Sequence, residues 1–475
     1  MQQKVKQIHS DTKTSSIFPH RRDYFKNLPK TGVTKKMILD LAKKEGVEFI
    51  NLQFIDIFGI VKGITLPATK LEEAIDHNVW FDGSSIEGFA RIFESDMYLK
   101  PDMDTFAIIP WTKRETPTAR LICDIYTPDD KPFIGDPRGV LKRQIEEARK
   151  LGYTYYTGPE LEFFLFKKDE NDNIMPLPHD KGSYFDQTTD LAAEIRQDMC
   201  FALEEMRIEV ERSTHEVANG QHEIAFKYSD ALTSADNAVT FKLALKAIAN
   251  SHGLYATFMP KPIFGVNGSG MHVHQSLFKD GKNAFFNKND APYYFSDIAK
   301  SFVAGQLAHI KEMNAVLDPL VNSYKRLVAG YEAPVYIAWA QKNRSALIRV
   351  PGFTTGRGES TRCELRCPDP SCNPYLAFAC MLAAGIDGIK KKMVPPAPVE
   401  ENIYHLSETD REMKKIGSLP KNLYEALQEF KQSEFMRGVI GEHIFDRYYS
   451  AKIKEWNEYR IRVTQWEIEN YLERY

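Results

Sequence analysis

The sequence predicts an α+β protein in which a small N-terminal β domain precedes a larger domain of strands covered by helices. Strand and hairpin patterns recur up to residue 126, long helical patterns begin at residue 137, and a run rich in Pro, Asp and Gly separates the two. A chain of 475 residues is long enough for two or three domains and a sizeable core. We therefore expect domains at 33–133 and 134–475, preceded by an N-terminal extension at 1–32.

The N-terminal domain begins with a short amphipathic helix followed by a strand. Residues 35–44 place Ile38, Leu41 and Ala42 at i, i+3 and i+4, which is the spacing of one apolar helix face. The next residues, 47–53, read V-E-F-I-N-L-Q and indicate a strand.

A hairpin, a further strand and a turn-rich run complete this domain. Residues 54–66 carry two glycines among β-branched residues, which favours a hairpin. Residues 121–126 form another strand pattern. The run 128–137 combines Pro, Asp and Gly, so it is the candidate domain boundary.

The larger domain opens with a helix at 137–151, for which Asp136 supplies the N-cap and Pro137 the first turn. The apolar periodicity then predicts, in order, a strand at 153–156, helices at 191–206, 234–252, 301–317 and 374–392, and charged amphipathic helices from about Leu423.

The composition excludes several classes of protein. Lys plus Arg number 62 and Asp plus Glu 65, so the net charge of −3 gives no support for a nucleic-acid-binding role. No apolar run approaches the roughly 18 residues that a membrane span needs. Six cysteines are few for this length and suggest reduced thiols in a cytoplasmic protein: Cys123, Cys200, Cys363, Cys367, Cys372 and Cys380.

The first thirty residues form a basic segment without a continuous apolar stretch, so they are not a secretory signal. A flexible or loosely docked arm, a contact for an oligomer partner or regulator, and an expression artefact all fit this composition. Its basic residues are Lys4, Lys6, Lys13, Arg21, Arg22, Lys26 and Lys30, against Asp11 and Asp23.

Two carboxylates share one face of a predicted strand in G-P-E-L-E-F-F-L-F. Glu160 and Glu162 lie two residues apart, while Leu161 and Phe163 point to the opposite face. Paired carboxylates beside an apolar run repel each other unless a cation lies between them. A solvated edge strand is the alternative, but the apolar run 163–166 argues against it.

A second acidic pair brackets a turn in H-E-V-A-N-G-Q-H-E-I. Glu216 and Glu223 flank Asn219 and Gly220, and both carboxylates converge on one point if the loop folds back. Alone this signal is weak, because glutamates are common in loops.

A glycine-rich loop precedes a polar strand face in N-G-S-G-M-H-V-H-Q-S. Gly268 and Gly270 permit close approach of the backbone to a ligand. His272, His274 and Ser276 then share one face. An isolated histidine is more often a satisfied core residue than a ligand, but two at this spacing behind glycines make a ligand role comparably plausible.

Charged residues also alternate in S-T-R-C-E-L-R-C-P-D-P. Arg362, Glu364 and Arg366 share one face, either as a plain ion-pair ladder or as arginine forks for phosphoryl oxygens around a hard oxygen ligand. Zinc is disfavoured because Cys363 and Cys367 belong to the opposite, buried face.

Further arginines at Arg326, Arg344 and Arg349 extend this pattern. Glutamates favour hard cations such as Mg²⁺ or Mn²⁺, and arginines favour several anionic groups. Together they indicate phosphoryl transfer, in which positioning and charge neutralisation supply most of the catalysis.

These residues lie in motifs that resemble type I glutamine synthetase. The motifs are F-D-G-S-S-I-E-G-F, G-P-E-L-E-F-F-L-F, H-E-V-A-N-G-Q-H-E, N-G-S-G-M-H-V-H, N-S-Y-K-R-L-V-A-G-Y-E-A-P, N-R-S-A and R-C-E-L-R-C-P-D-P-S-C-N-P-Y-L. They occur in the family's order and spacing from about residue 33 to the C-terminus. Seven motifs in register are far more specific than any one of them.

The resemblance implies a β-grasp N-terminal domain and a catalytic domain with a curved antiparallel sheet covered by helices. It also implies a homo-dodecamer of two stacked hexamers, with each active site between neighbouring subunits. The activity implied is ATP-dependent ligation of ammonia to L-glutamate.

By motif position, the resemblance assigns a role to each site residue. One divalent cation would be held by Glu162, Glu216 and Glu223, and a second by Glu160, His272 and Glu364. ATP would contact Glu211, Tyr228, His274, Ser276, Arg349 and Arg362. Glutamate and the transferred phosphoryl group would contact Asn267, Gly268, Arg326, Glu332, Arg344 and Arg366. Ammonium would contact Asp82, Ser85, Tyr184 and Glu216, with Asp82 contributed by the adjacent subunit.

The implied mechanism has two steps. The γ-carboxylate of glutamate attacks the γ-phosphorus of ATP, assisted by Arg344 and Arg366. Ammonia then attacks the resulting γ-glutamyl phosphate after Asp82 takes a proton from ammonium. Glu332 would lie on a flap that shields this intermediate from water.

Details of the motifs favour the α branch of the family, which is not adenylylated. The loop between Glu216 and Glu223 is one residue shorter than in the adenylylated branch, and the insertion after R-C-E-L-R is missing. Tyr404 lies near the modified-tyrosine region, but we predict no adenylylation. In the α branch an arginine like Arg91 takes part in feedback inhibition by glutamine.

Three alternatives remain. A γ-glutamyl-amine or polyamine ligase of the same superfamily would usually lack the ammonium-side residues, all of which are present here. A non-catalytic regulator or lens-type relative would show broken metal ligands, and none of the six is lost. A catalytic enzyme that also binds a nitrogen-regulatory protein fits the sequence equally well.

Overall fold

The computed structural model describes residues 28–86, 96–113, 115–331, 333–352, 356 and 358–475. Arg91 and Glu332 lie outside the described residues, as does most of the N-terminal extension. The backbone of Ser85 is described, but its side chain is not.

The first part of the chain forms a small sheet flanked by two helices. Its elements are α1 (Lys35–Lys44), β1 (Phe49–Ile55), β2 (Val61–Pro67), α2 (Leu71–His77), β3 (Val79–Asp82), β4 (Asp96–Pro101), β5 (Ala107–Ile108) and β6 (Thr118–Tyr126). The strand order is β2-β1-β6-β4-β3, with β5 beside β6. β1 and β2 form the predicted antiparallel hairpin, whereas β1 and β6 run parallel.

The predicted helix at 35–44 is confirmed, and its apolar face explains how it packs. Thr34 caps the helix, because its hydroxyl accepts from the backbone N–H of Met37. Ile38 and Leu41 are buried against β1 and β6 in a core that includes Leu52 and Leu121. Burial of each such side chain contributes about 1.5–3 kcal/mol, so the helix is held to the sheet by this stripe.

The remainder of the chain forms a large sheet and its covering helices. The strands are β7 (Thr154–Lys168), β8 (Ile174–Pro178), β9 (Val210–His215), β10 (Gln221–Phe226), β11 (Ser229–Asp230), β12 (Leu254–Thr257), β13 (Met271–Lys279), β14 (Lys282–Asn283), β15 (Tyr336–Ala340), β16 (Ala346–Arg349), β17 (Cys363–Leu365) and β18 (Gly417–Ser418). The helices are α3 (Pro137–Lys150), α4 (Ala193–Glu205), α5 (Ala231–Ser251), α6 (Asp297–Leu317), α7 (Ser323–Arg326), α8 (Pro374–Lys390), α9 (Glu408–Met413), α10 (Leu423–Lys431), α11 (Glu434–Ile440), α12 (Glu442–Tyr459) and α13 (Gln465–Tyr471).

The strand order of the large sheet is β18-β15-β16-β17-β13-β7-β10-β9, and the pairs are antiparallel except for the parallel pair β15 and β16. β7 is longer than the predicted strand 153–156. It continues to Lys168 because β13 pairs along its first half and β10 and β12 along its second. The alternating polar and apolar residues of the E-L-E-F motif therefore lie at the centre of the sheet.

The core lies between this sheet and the helices α3, α5, α6 and α8. Leu161, Phe163 and Leu165 of β7 are fully buried and point towards it. The ring centroids of Phe163 and Phe241 of α5 are 6.4 Å apart in an edge-to-face arrangement. The opposite face of β7 is thereby left to Glu160 and Glu162.

A buried arginine connects the small sheet to the large unit. The Arg138 guanidinium in α3 lies 2.7 Å from Asp124 of β6, 2.7 Å from Asp102 and 2.9 Å from Asp236 of α5. Asp136 caps α3 as predicted, because its carboxylate accepts from the Arg138 N–H.

Within the described residues, no helix has both the length and the apolar character that crossing a membrane requires.

Candidate functional site

The polar faces of β7, β10, β13 and β17 meet at a cavity of about 460 Å³. The six residues that the resemblance assigns to cations all line it: Glu160, Glu162, Glu216, Glu223, His272 and Glu364. So do Asn267, Gly268, Arg326, Arg344, Arg349, Arg366 and Tyr184. The structure thus brings together side chains that lie up to about 200 positions apart in the sequence.

Strand register explains this convergence. Glu223 of β10 lies directly opposite Glu162 of β7, and His272 of β13 lies opposite Glu160. Because side chains opposite each other in an antiparallel pair share a face, these pairs point into the cavity together. Glu216 joins them because its N–H donates to the Gln221 carbonyl, which folds the loop back.

Glu162, Glu216 and Glu223 form a crowded acidic group. Burial, followed by the charges of Glu216 and Glu223, raises the pKa of Glu162 well above its usual range. Burial and the charges of Glu160 and Glu216 raise the pKa of Glu223 to about 7. Carboxylates that protonate this readily are poorly compensated by the protein alone, so the group fits a divalent cation with hard oxygen ligands.

A second group mixes carboxylates with imidazoles. Burial would raise the pKa of Glu160, but a hydrogen bond with His274 and nearby positive charges hold that pKa at about 2. Glu160, His274 and Glu364 each place one potential metal-ligand atom within 4.8 Å of those of the other two. His272 Nδ1 is 3.6 Å from Glu364 and 4.0 Å from Glu160. Burial, followed by Arg366, lowers the pKa of His272, so its ring is neutral and can donate a lone pair to a cation.

Arg212 is a site residue that sequence reasoning missed. Its Nη2 lies 3.0 Å from Glu160 Oε1 and 2.9 Å from Glu223 Oε1, so it bridges the two acidic groups. The side chain is half exposed, which leaves it free to turn away when a cation binds. The alternation of Arg212 and Thr214 on β9, continued by Glu216 directly after the strand, is the signal that could have found it.

Gln221 was also missed. Its buried amide Nε2 donates to Glu162 Oε2 at 3.1 Å and to the Gly268 carbonyl at 3.1 Å. It therefore links the acidic group to the glycine-rich loop. Its position directly after Gly220 in the bracketed turn is a weak signal, because a lone glutamine on a strand is common.

In the glycine-rich loop, Gly270 makes room for a side chain of the protein itself. A Cβ at Gly270 would lie 2.5 Å from Arg326 Nη2, and the Gly270 N–H donates to Glu162 Oε2 at 2.8 Å. What approaches this backbone is therefore the protein's own arginine. Arg326 is buried and donates to the carbonyls of Cys367 at 2.5 Å and Arg366 at 3.1 Å, so it also fixes the segment that carries Arg366.

Three further arginines line the cavity: Arg349 on β16, Arg366 directly after β17, and Arg344 on the loop before β16. Arg349 Nε lies 2.5 Å from Glu364 Oε2, and Arg366 Nη1 lies 3.4 Å from Glu364 Oε1. Arg344 is exposed on a loop that Asn343 stabilises. Asn343 Oδ1 accepts from the Ser345 N–H, and its Nδ2 donates to the Val399 carbonyl. This arrangement can neutralise several anionic oxygens at once.

Of the residues expected to contact ATP, His274 and Arg362 connect to the cavity through Glu160. Arg362 Nε is 3.2 Å from His274 Nδ1, and His274 Nε2 is 3.3 Å from Glu160 Oε1. Ser276 follows on the same strand face. Tyr228 packs edge-on against Tyr156, and Glu211 is exposed on β9. Of the six, only Arg349 lies among the described residues that line the cavity.

The residues expected on the ammonium side divide into two places. Tyr184 lines the cavity, whereas Asp82 is exposed at the end of β3 and is not among the described residues of the lining. Hydrogen bonds from the hydroxyl and N–H of Ser84 lower the pKa of Asp82, so it is a carboxylate at neutral pH. Tyr331 and Ala333, which flank Glu332 in sequence, line the cavity.

All six cysteines are free thiols, as predicted. Cys363, Cys367 and Cys372 are fully buried, and burial raises the pKa of each thiol.

Comparisons with known proteins agree with this geometry. The family models described as "Glutamine synthetase, beta-Grasp domain" and "Glutamine synthetase, catalytic domain" match residues 46–128 and 134–471. A glutamine synthetase of Clostridium saccharobutylicum is 57% identical over 93% of this chain and 99% of its own. One of Methanosarcina mazei is 54% identical over 92% and 98%.

Solved structures give the same result. A Plasmodium falciparum glutamine synthetase superposes with a TM-score of 0.82 at 26% identity and covers 93% of this chain and 99% of its own. A GmaS/ADP complex has a TM-score of 0.82 at 30% identity, with 92% and 99% covered. The predicted fold class is thereby confirmed, and the chain belongs to the glutamine synthetase family.

Proposed function

We propose that this chain is a glutamate–ammonia ligase, which converts L-glutamate, ammonia and ATP into L-glutamine, ADP and phosphate. The observation that carries the proposal is a single cavity lined by both acidic groups and by five arginines. Relatives that are 51–57% identical over more than nine-tenths of the chain carry the name glutamine synthetase. Ligation of this kind needs charge neutralisation, which the arginines and the cations held by the acidic groups would supply.

The acidic groups are proposed to hold two divalent cations, Mg²⁺ or Mn²⁺. Glu162, Glu216 and Glu223 would hold one, and Glu160, His272 and Glu364 the other. Such cations neutralise phosphoryl oxygens during transfer. The raised pKa values of Glu162 and Glu223 support this assignment, because the group is unstable as three bare carboxylates.

The arginines are proposed to bind the substrates' anionic groups. Arg326, with Asn267 and Gly268, would hold glutamate at the floor of the cavity. Arg344 and Arg366 would stabilise the phosphoryl group as γ-glutamyl phosphate forms. ATP would lie along the side built by Glu211, Tyr228, His274, Ser276, Arg349 and Arg362.

The second step is assigned to the ammonium side. Asp82, with Ser85, Tyr184 and Glu216, would bind ammonium, and Asp82 would take a proton from it so that ammonia can attack. Its lowered pKa keeps it ionised for that purpose. Glu332 would cover the intermediate against water.

The quaternary and cellular proposals follow the family. We propose a homo-dodecamer of two stacked hexamers in the cytoplasm, with residues 33–133 of one subunit completing the site in residues 134–475 of the next. The exposed position of Asp82, away from its own chain's cavity lining, supports this. The sequence of the motifs supports the non-adenylylated α branch, and a nitrogen-regulatory protein is a further proposed partner.

The reaction is tested by measuring ATP hydrolysis with each substrate omitted. We expect phosphate release to require glutamate, ammonium and Mg²⁺ or Mn²⁺ together, and glutamine to form in equal amount. Methylamine and putrescine serve as competing amines. A clear preference for either of them over ammonium would favour the γ-glutamyl-amine ligase reading.

Feedback regulation is the proposed role of Arg91. Arg91→Ala is expected to keep the forward activity but lose much of its inhibition by glutamine, because discrimination between an amide and a carboxylate requires charged contacts. A coupling of about 1–3 kcal/mol suffices for such control. Glutamine titrations of both proteins at matched glutamate measure it, and identical inhibition curves would remove Arg91 from this account.

A further inference from the structure

A buried hydrogen-bond cluster lies directly behind the acidic group. It contains Asp180, His215 and His222, and one carboxylate oxygen or ring nitrogen of each residue lies within 4.8 Å of those of the other two. All three residues are at most 4% exposed. Arg196 extends the cluster, since it lies 3.0 Å from His222 Nδ1 and forms a two-pronged ion pair with Asp190. These residues do not line the cavity and have no part in the mechanism above.

This cluster is unsuited to a metal ion of its own. Because a guanidinium can only donate, His222 Nδ1 accepts from Arg196 and its Nε2 carries the proton. Metal binding at that ring would need the Nε2 lone pair. The role of this cluster therefore depends on what its hydrogen bonds hold in place.

Those hydrogen bonds converge on the loop that carries Glu216. Asp180 Oδ1 accepts from His215 Nε2 at 2.9 Å and from the Gly220 N–H at 2.9 Å. On its other side, His215 Nδ1 lies 2.7 Å from the Glu216 carbonyl oxygen. One buried carboxylate thus holds the start of the loop through His215 and its turn through Gly220.

The same carboxylate also ties this loop to the segment that carries Tyr184. Three residues after Asp180, the Ser183 hydroxyl donates to the Val217 carbonyl at 3.1 Å. Tyr184 and Val217 both line the cavity. The two stretches of chain are therefore fastened to each other at Asp180 and again at Ser183.

We propose that Asp180 is a positioning residue that, through His215 and Gly220, sets the Glu216 carboxylate in place to bind its divalent cation. The inference rests on the proposed cation site. Partners behind the ligands of a metal fix ligand orientation, and their loss typically weakens metal binding about 10–100-fold. Asp180 is well placed for this because it acts on the backbone at both Glu216 and Gly220.

The test compares Mn²⁺ binding to full-length proteins stripped of metal, by calorimetry and without substrates. Asp180→Ala is expected to weaken one Mn²⁺ binding step about 10–100-fold, while Asp180→Asn, which keeps an acceptor oxygen, should restore much of the affinity. The concentration of Mn²⁺ that half-saturates glutamine formation should rise in parallel, and excess Mn²⁺ should recover the rate.

Asp198→Ala is the matched control. Asp198 of α4 is 2% exposed, and its carboxylate lies 3.0 Å from Nε2 of His252, which follows α5. The Asp198→Ala substitution therefore removes a buried Asp–His pair of the same kind. We expect a lower melting temperature in both Ala variants but unchanged Mn²⁺ binding in Asp198→Ala. Equal weakening in the two would show a general stability effect and overturn the proposal, as would wild-type Mn²⁺ binding by Asp180→Ala.

A second variant covers the case in which Asp180→Ala fails to fold. A Cβ at Gly182 would lie 2.7 Å from His215 Nε2, so Gly182→Ala pushes the ring away from Asp180 and should reproduce the weaker Mn²⁺ binding. Unchanged binding in that variant would also count against the proposal. Because binding is measured without substrates, a wild type that forms no glutamine would refute the proposed reaction and leave this comparison decisive for Asp180.

Discussion

Glu364→Ala is expected to reduce glutamine formation by roughly 10²- to 10⁴-fold, because the cation that Glu364 would help to hold supplies several kcal/mol of transition-state stabilisation, and a factor of ten in rate corresponds to about 1.4 kcal/mol. Glu364 is 1% exposed and lies between Arg349 and Arg366. Its loss leaves the buried Arg366 and the partly buried Arg349 without the carboxylate that they share, and removes a hard oxygen ligand beside His272. The measurement is the rate of phosphate and glutamine release at saturating Mg²⁺ and substrates.

Two controls separate chemistry from folding. Glu359→Ala removes an exposed carboxylate from the short helix Gly358–Ser360, five positions before Glu364, and should keep the wild-type rate. Thermal unfolding of Glu364→Ala shows whether the fold survives. A folded Glu364→Ala enzyme with full activity in Mg²⁺ would exclude Glu364 from the cation site.

Local periodicity predicted most of the long helices but only a minority of the strands, and the misses occur where distant residues decide. α5 begins at Ala231 rather than at 234, because Asp230 caps it by accepting from the Thr233 N–H. Asp230 is placed for that by pairing with Tyr156 of β7 as part of β11. A two-residue strand whose partner lies about 70 positions away leaves no local pattern.

The site shows the same division. Alternation along single strands revealed Glu160 with Glu162 and His272 with His274, because side chains two apart share a face. Which faces meet depends on register between strands, and only the family resemblance indicated those groupings. Arg212 and Gln221 were not predicted for this reason. Each is an ordinary polar residue on its own strand, and only the pairing of β9 with β10 and of β10 with β7 brings it next to the carboxylates.

The glycines of the N-G-S-G loop show that one signal can have more than one cause. Gly270 marks a close approach, and in the structure the approaching group is Arg326. The sequence indicates that a side chain at this position would not fit, but it does not show which group occupies the space. Since Arg326 is proposed to bind glutamate, Gly270 would act on the substrate indirectly, by making room for Arg326.

Subunits with Asp82→Asn and subunits with Arg344→Ala are each expected to be nearly inactive alone, whereas an equal mixture should regain about one quarter of wild-type activity if Asp82 serves a neighbour's cavity in a closed ring. Asp82 is exposed on β3 and absent from the described lining of its own cavity. Arg344 is the better partner than Arg326, because Arg344 is exposed while Arg326 holds the backbone at 366–367. Glutamine formation after verified subunit exchange is the measurement.

Mixing wild type with the double variant Asp82→Asn/Arg344→Ala supplies the control. If Asp82 acts across the interface, this mixture has an intact Asp82 beside an intact cavity in about one quarter of its sites, the same fraction as the mixture of single variants. If Asp82 acts within its own chain, every wild-type subunit stays active, so the control keeps about one half and the single-variant mixture recovers nothing. If Asp82 acts across the interface, the two mixtures are therefore equally active, whereas if Asp82 acts within its own chain only the control mixture is active. Loss of activity from misfolding alone cannot imitate a recovery in the single-variant mixture.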